Sequence, residues 1–228
     1  MSRHLVVGVV AHECLPGHGA VKALFGARES RLEAACGLLD VVLCVAHLGE
    51  QIEAHVGGGG QYGVRVRYSH EGEVLLGTAG ALRASLPMLE PEFLVTYGDS
   101  YLPFDYAEPV RVLQTHDDCD GVMSVFPNGG KWDASNVMTD GQRVLRYEKG
   151  TRDPAFDHID YGAIALRRPL VAAMPPGKRL GLEGLQTDLA VAGRMRAVVA
   201  GERFYEIGSP EGLAALDARL AATREHLE

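Results

Sequence analysis

The feature that most constrains this chain is the alternation of short, continuous apolar runs with stretches of helical periodicity. LVVGVV (5–10) and VVLCVA (41–46) read as buried strands, and the second runs into LGEQIEAHV, where Leu48, Ile52 and Val56 recur at helical spacing. GVRVRYSH (63–70) alternates as a shorter strand, AGALRASLPML (79–89) predicts a helix, and FLVTYGDS opens with a strand over Phe93–Thr96. YAEPVRVLQTHDD then predicts a helix and GVMSVF (121–126) a strand, and the turn-rich NGGKWDASN opens a hairpin leading to RVLRYEK. IDYGAIALRR (159–168) is a strand again. A helix near Leu182 to Arg194, a short strand AVVA and a closing helix, PEGLAALDARLAATREHL, complete the chain. Strands separated by helices imply a mostly parallel sheet with helices on both faces. Without an internal repeat or low-complexity linker, residues 1–228 are expected to form one domain with a β-rich elaboration in its second half.

Composition narrows the function classes. With 228 residues, 46% hydrophobic and 23% charged, the chain is long enough to bury a sizeable core. The net charge of -8 argues against a sequence-independent grip on nucleic acid, while leaving room for a local basic pocket for phosphates. No segment reaches the roughly 18 apolar residues that a membrane span needs. The amino terminus, MSRHLVVGVVAHE, turns polar too quickly for a signal peptide. Cys14, Cys36, Cys44 and Cys119 lack CxxC spacing, so neither a zinc site nor a disulfide framework is indicated, and reduced thiols in a cytoplasmic protein are expected.

Three stretches carry candidate chemistry. In FLVTYGDS the strand ends on Gly98 and Asp99, which places a carboxylate at the carboxyl end of a strand, where open α/β sheets bind ligands; the plain alternative is a turn cap. In LGTAGALRASL the small residues Gly77, Thr78, Ala79 and Gly80 stand at the mouth of a helix, whose free N–H groups suit an anion or the edge of a base. Read alone, that stretch is better explained as a helix start capped by Thr78. FYEIGSPEGL delivers Glu206 from a short strand just before a helix that starts with Ser209 and Pro210.

The order and combination of these blocks resemble the sugar-phosphate nucleotidyltransferases, and within them the short bacterial members acting on heptose, mannose or N-acetylmuramate 1-phosphate. The similarity runs from about Val41 to the carboxyl terminus through VVLCVAHLGEQIEAHVG, YSHEGEVLLGTAGALRASLP, FLVTYGDSYLPFDY, DASNVMTDGQRVLRYEKG, HIDYGAIALRR and RFYEIGSPEGL. It implies a Rossmann-like three-layer α/β/α, GT-A-like fold with a mixed, mostly parallel sheet. It also implies transfer of a nucleotidyl group from an NTP to a sugar 1-phosphate, with Mg²⁺ as cofactor. In that family Asp99 and Glu206 correspond to the metal positions, Glu206 standing where an Asp is usual. Gly77, Thr78 and Gly80 correspond to the loop against base and ribose. Glu148 and Lys149 meet the sugar and its phosphate, and Tyr161 and Gly162 line the sugar pocket through main-chain contacts. Trp132 reads better as a packed hairpin aromatic than as a pocket wall, and Asn136 is open between site and scaffold.

The first forty residues depart from the family. After LVVGVV, where a Gly-Gly-x-Gly-Thr-Arg loop is usual, stands AHECLPGHGAVKALF; Gly17, His18 and Gly19 give a turn without the arginine, and Lys22 is the best match to the phosphate-binding, catalytic lysine. Either this loop has drifted, or residues 11–39 reflect a shifted reading frame, as their Ala, Gly, Arg, His and Cys content allows. The alternative to an active enzyme is a catalytically impaired homologue that binds sugar nucleotide or a partner subunit in a regulatory role. A glycosyltransferase is disfavoured because Ser100 and Tyr101 follow Asp99 where an Asp-x-Asp pair is expected. The expected partners are an NTP and a sugar 1-phosphate, with a homo-oligomer left open and neither nucleic acid nor membrane among them.

Overall fold

The computed structural model describes residues 4–9, 38–46, 48–72, 74–131, 133–206 and 209–225. Its strands are β1 (His4–Val9), β2 (Leu38–Val45), β3 (Arg65–His70), β4 (Glu92–Tyr97), β5 (Ser100–Tyr101), β6 (Gly121–Pro127), β7 (Val137–Thr139), β8 (Val144–Tyr147), β9 (His158–Arg167), β10 (Met195–Val199) and β11 (Tyr205–Glu206). The α-helices are α1 (Gly49–Val56), α2 (Gly77–Ala84), α3 (Ala107–Thr115), α4 (Arg168–Ala172), α5 (Glu183–Val191) and α6 (Pro210–Glu225). The hairpin follows NGGKWDASN as expected, turning between β7 and β8. Two elements were not anticipated: the short helix α4 and the two-residue strand β5.

The main sheet runs in the order β10-β6-β9-β4-β1-β2-β3, with β7 and β8 attached beside β9. Four of its neighbouring pairs are parallel, β1 with β2, β1 with β4, β2 with β3, and β6 with β10. The exception is β9, antiparallel to both β4 and β6, which makes the sheet mixed. A separate ribbon pairs β5 with β11.

Period-two side-chain alternation sorts the apolar runs onto two faces, because successive residues of a strand point to opposite sides. Val42 and Cys44 of β2, Phe93 and Val95 of β4, and Ile164 and Leu166 of β9 join one core with Leu82 of α2 and Leu189 of α5. Val41, Leu43, Leu94, Ala163 and Ala165 join the other, with Ile52 of α1 and Leu113 of α3. Both faces are covered by helices, so the strands need no polar side and read as continuous apolar runs in the sequence. Each fully buried Leu or Phe contributes about 1.5–3 kcal/mol relative to exposure.

At the far end of the sheet from the strand tips discussed below, ionic contacts fix the register of β9. Arg167 donates to Glu92 Oε1 at 2.5 Å and to the Leu113 carbonyl at 2.9 Å, tying β9 to β4 and to the end of α3. Asp120 accepts from Arg194 through both oxygens, joining the start of β6 to the start of β10. The Arg194 hydrogen bond, more than any other influence, holds the Asp120 carboxyl below its ordinary value of 3.8. A depressed carboxyl contributes stability above the unfolded-state pKa and loses it as pH falls through the folded one. We therefore expect Asp120→Asn to lower denaturant stability at pH 7 by about 0.5–1.5 kcal/mol, a figure kept low because Arg194 is partly open to solvent. The difference from the parent protein should shrink as pH drops below 3.8; a gap independent of pH in chemical denaturation would refute the ionic account.

Candidate active site

The order of strands reverses at β1, which has β2 on one side and β4 on the other. In open α/β sheets the ligand crevice lies outside the carboxyl ends of the strands at such a point. Asp99 stands there, two residues beyond β4, and is half-buried. Its neighbour Ser100 donates to Asp99 Oδ1 at 3.2 Å.

The β5–β11 ribbon then brings a second carboxylate to the same place. Glu206 pairs with Ser100 across the ribbon, and Tyr205 with Tyr101, so residues 107 positions apart in the chain, Asp99 and Glu206, become neighbours in space. The ribbon is held by apolar packing: Tyr101 and Tyr205 pack against Leu216 of α6 with Leu213 and Leu220. The Glu206 carboxyl is raised, by burial first and then by the charges of Asp99 and Asp133. Like charges forced together in this way favour a proton or a cation between them. Among the described residues no group of three or more His, Cys, Asp or Glu side chains could hold a metal ion. Two carboxylates nonetheless fit Mg²⁺, which takes one or two protein oxygens and completes its shell with water and substrate phosphate.

The glycines of LGTAGAL have an occupant that the sequence did not reveal. A Cβ on Gly77, whose φ is +70°, would stand 2.7 Å from the Leu180 carbonyl oxygen, and one on Gly80 would stand 2.5 Å from that of Lys178. The Leu180 carbonyl accepts from Ala79 N at 2.9 Å and Gly80 N at 3.2 Å, so those two N–H groups at the start of α2 are not open to an anion. Thr78 does not cap the helix; its hydroxyl accepts from Leu182 N at 3.1 Å. The small residues thus let residues 178–182 lie directly on the loop and, through Leu182, fix the start of α5.

The remaining candidate residues lie on and after β8 and β9. Glu148 and Lys149 follow β8, and the exposed Glu148 carboxylate receives Arg146 at 3.2 Å, so its ion-pair partner is Arg146 and not the adjacent lysine. Asn136 is a scaffold residue here, its side-chain oxygen accepting from Asp160 N at 2.8 Å. The β9 strand is irregular opposite Met123–Val125, where Gly162 adopts a φ of +90°. Tyr161 turns its ring into the α1/α3 face, edge-on to Phe104 and Phe204. A Cβ on Gly162 would come within 3.5 Å of the Tyr97 ring.

Sequence reasoning missed two residues, Asp160 and Gln186. Asp160 Oδ1 accepts from Gly162 N at 3.0 Å and Oδ2 from Gln186 Nε2 at 2.7 Å. Burial raises the Asp160 carboxyl, and the Gly162 N–H, the Gln186 amide and the charge of Lys149 each pull it back. The Tyr97 phenol is pushed well up by burial and then by Asp160, Tyr147, Asp99 and Glu183, so it lies within electrostatic reach of both carboxylate groups. An acid within an otherwise apolar strand, two residues before a glycine, was the available signal for Asp160. Lys22, Trp132 and the loop of residues 11–37 lie outside the described residues.

No family profile matches the chain. It is 41% identical over 204 residues, 79% of this chain and 85% of the other, to N-acetylmuramate alpha-1-phosphate uridylyltransferase of Neisseria meningitidis serogroup B. Among solved structures, a Bacillus anthracis protein described as a glucose-1-phosphate thymidylyltransferase, in complex with sucrose, superposes with a TM-score of 0.76 at 12% identity, covering 95% of this chain and 94% of that one. HddC from Yersinia pseudotuberculosis, complexed with GMP-PN, gives 0.70 at 21% identity over 92% of this chain and 96% of its own. The two structures establish the α/β fold, and the Neisseria relative favours catalysis over the regulatory reading.

The packing of Gly80 gives a direct test of how the loop is held. In an exposed helix Gly→Ala stabilises by about 0.8–1 kcal/mol. Here the added methyl meets backbone, and Gly80→Ala is expected to destabilise by about 1–3 kcal/mol in chemical denaturation, as overpacking does. A stabilised variant would mean that residues 178–180 do not rest on α2.

Proposed function

The chain belongs to the sugar-phosphate nucleotidyltransferases, and on that footing we propose that it joins an NTP to a sugar 1-phosphate, giving an NDP-sugar and pyrophosphate. UTP is the first donor to try, because the relative that shares 41% of its residues over 85% of its own length is named a uridylyltransferase. The observation that carries the chemical reading is the convergence of Asp99 and Glu206 across the β5–β11 ribbon, at the crevice where the strand order reverses.

Both substrates are polyanions, and the sugar phosphate is already ionised at neutral pH, so no covalent nucleophile or general base is needed. What the site must supply is in-line placement and relief of charge on the phosphoryl oxygens. Bound between Asp99 and Glu206, Mg²⁺ would supply that relief. The main chain around Gly77 and Thr78 lies against base and ribose, with residues 178–182 holding it in place from behind. At the other end Glu148 accepts from sugar hydroxyls, and Lys149, whose charge acts on Asp160, attracts the acceptor phosphate. Lys22 completes the reading as the contact to the NTP phosphates. No described helix is long and apolar enough to cross a membrane. We place the reaction in the cytoplasm as part of this reading.

The test is pyrophosphate release by the purified chain, with UTP and three other NTPs against N-acetylmuramate, glucose and mannose 1-phosphates. At least one pair should turn over, and only with a divalent cation. Asp99→Asn should then cut kcat/KM about 100-fold or more, the equivalent of several kcal/mol of lost charge stabilisation, while the melting temperature stays near that of the parent. Glu148→Gln should raise KM for the sugar phosphate with little effect on that for NTP. Full activity of Asp99→Asn would remove the metal assignment, and equal loss of NTP affinity in Glu148→Gln would remove the sugar assignment.

A further inference from the structure

Gly212, in the first turn of α6, lies directly against the main chain of Glu206. A Cβ there would collide with the Glu206 carbonyl oxygen and stand 2.9 Å from its carbonyl carbon and 3.1 Å from Ser209 Oγ. Backbone atoms cannot swing aside as the end of a flexible side chain does, so a larger residue must push the helix and the Glu206 peptide apart. Gly212 is not among the glycines with positive φ. Its conformation is open to any residue, and closeness alone calls for glycine. A glycine within a helix weakens it relative to alanine, so the contact is kept to the detriment of α6 itself.

The rest of α6 acts on the same short segment. Buried Leu216 packs with Leu213 and Leu220 against Tyr101 and Tyr205, and these residues form a cluster of their own, apart from the two cores that line the sheet. Tyr101 and Tyr205 are partners across the β5–β11 ribbon. Further along the helix, Arg219 donates to Glu202 Oε2 at 2.9 Å, just before β11. Gly212 N donates to Ser209 Oγ at 3.0 Å, which fixes the first turn. The ribbon has only two residues in each strand, too few to hold together unaided. Asp99 directly precedes β5 and Glu206 ends β11, so α6 is fastened to the element that sets the spacing of the two acids.

Resting on the nucleotidyl-transfer reading, we propose that α6 is the brace that places Glu206 for a divalent cation, with Gly212 as its positioning residue. Gly212 has no side chain with which to touch cation or substrate, and it acts through the Glu206 peptide. Glu206 stands where an aspartate is usual, and a glutamate has more rotamer freedom to lose. Its main chain must therefore be held more firmly to give a carboxylate the same definition. The close approach at Gly212 and the leucine–tyrosine cluster supply that hold from two sides of the ribbon's last residue.

The experiment titrates the purified chain with Mn²⁺ alone and follows the free ion by electron paramagnetic resonance, in the parent, Glu206→Gln, Gly212→Ala, Leu216→Ala and Ala218→Gly. Glu206→Gln should remove one class of bound Mn²⁺ and so mark the site. Gly212→Ala should raise the Kd of that class by about tenfold or more, as loss of the contacts that aim a metal ligand does. Leu216→Ala, which frees α6 from the ribbon tyrosines, should move it the same way. Ala218→Gly, at an exposed position of the same helix, weakens α6 without touching Glu206 and should leave the Kd as in the parent. In turnover assays the Mg²⁺ concentration for half-maximal rate should rise in Gly212→Ala while KM for the sugar phosphate holds. Parent-like Mn²⁺ affinity in Gly212→Ala would overturn the proposal. So would equal weakening in Gly212→Ala and Ala218→Gly, which would show that helix stability alone matters. Should Gly212→Ala fail to fold, parent-like affinity in Leu216→Ala would overturn it equally. A parent whose Mn²⁺ binding is indifferent to Glu206→Gln would end the metal reading and this one with it, whereas a loss confined to Glu206→Gln ends this one alone.

Discussion

The placement of β9, antiparallel between β4 and β6, is the constraint on which the rest of the structure depends. It joins β6 and β10 to the parallel set β4-β1-β2-β3, and without it neither apolar face would close. Its sequence gives side chains to both cores in strict alternation from Ala163 to Leu166. The same strand then breaks that regularity at Gly162, where the backbone takes a φ of +90° and the register against β6 shifts. The irregularity falls mid-strand, just past the last pairing with β4 at Ala163. The ionic contacts of Arg167 hold one end. A strand fixed at one end and irregular at its middle can turn a carboxylate out of the ladder without loosening the core.

Electrostatics sets the second constraint. The chain carries a net charge of -8, and its cleft gathers Asp99, Glu206 and Asp160 with Asp133 and Glu183 in reach. A site for polyanionic substrates that is itself lined with acids is unfavourable until cations are added. Lys149 is one that acts on Asp160 within the described residues, and under the proposed function a divalent ion held by Asp99 and Glu206 would be another. Under the proposed function these acids would repel a nucleotide that arrives without its cation.

Much of this was legible in the sequence, and the limits follow from physics. The buried strands and their helices were readable because both faces of the sheet are covered, which leaves apolar runs such as VVLCVA with no competing period. Asp99 was readable because its meaning is local: a carboxylate just beyond a strand. The β5–β11 ribbon was not, since two strands of two residues each have no periodicity, and their pairing depends on the packing of α6. Gly77 and Gly80 were marked as special, but the reason lies in Lys178 and Leu180, about a hundred positions away. Asp160 was passed over inside an apolar strand because its donor, Gln186, comes from a helix whose position only the fold determines.

The central claim is that this chain catalyses reversible nucleotidyl transfer at the Asp99–Glu206 pair. The most direct measurement runs the reaction backward, with phosphorus-31 NMR following UDP-sugar and pyrophosphate in the presence of the protein and Mg²⁺. The account predicts that the resonances of an NTP and a sugar 1-phosphate grow together, and that chelation of the metal stops both. Breakdown to a nucleoside monophosphate and sugar 1-phosphate, with pyrophosphate untouched, would identify a hydrolase and contradict it.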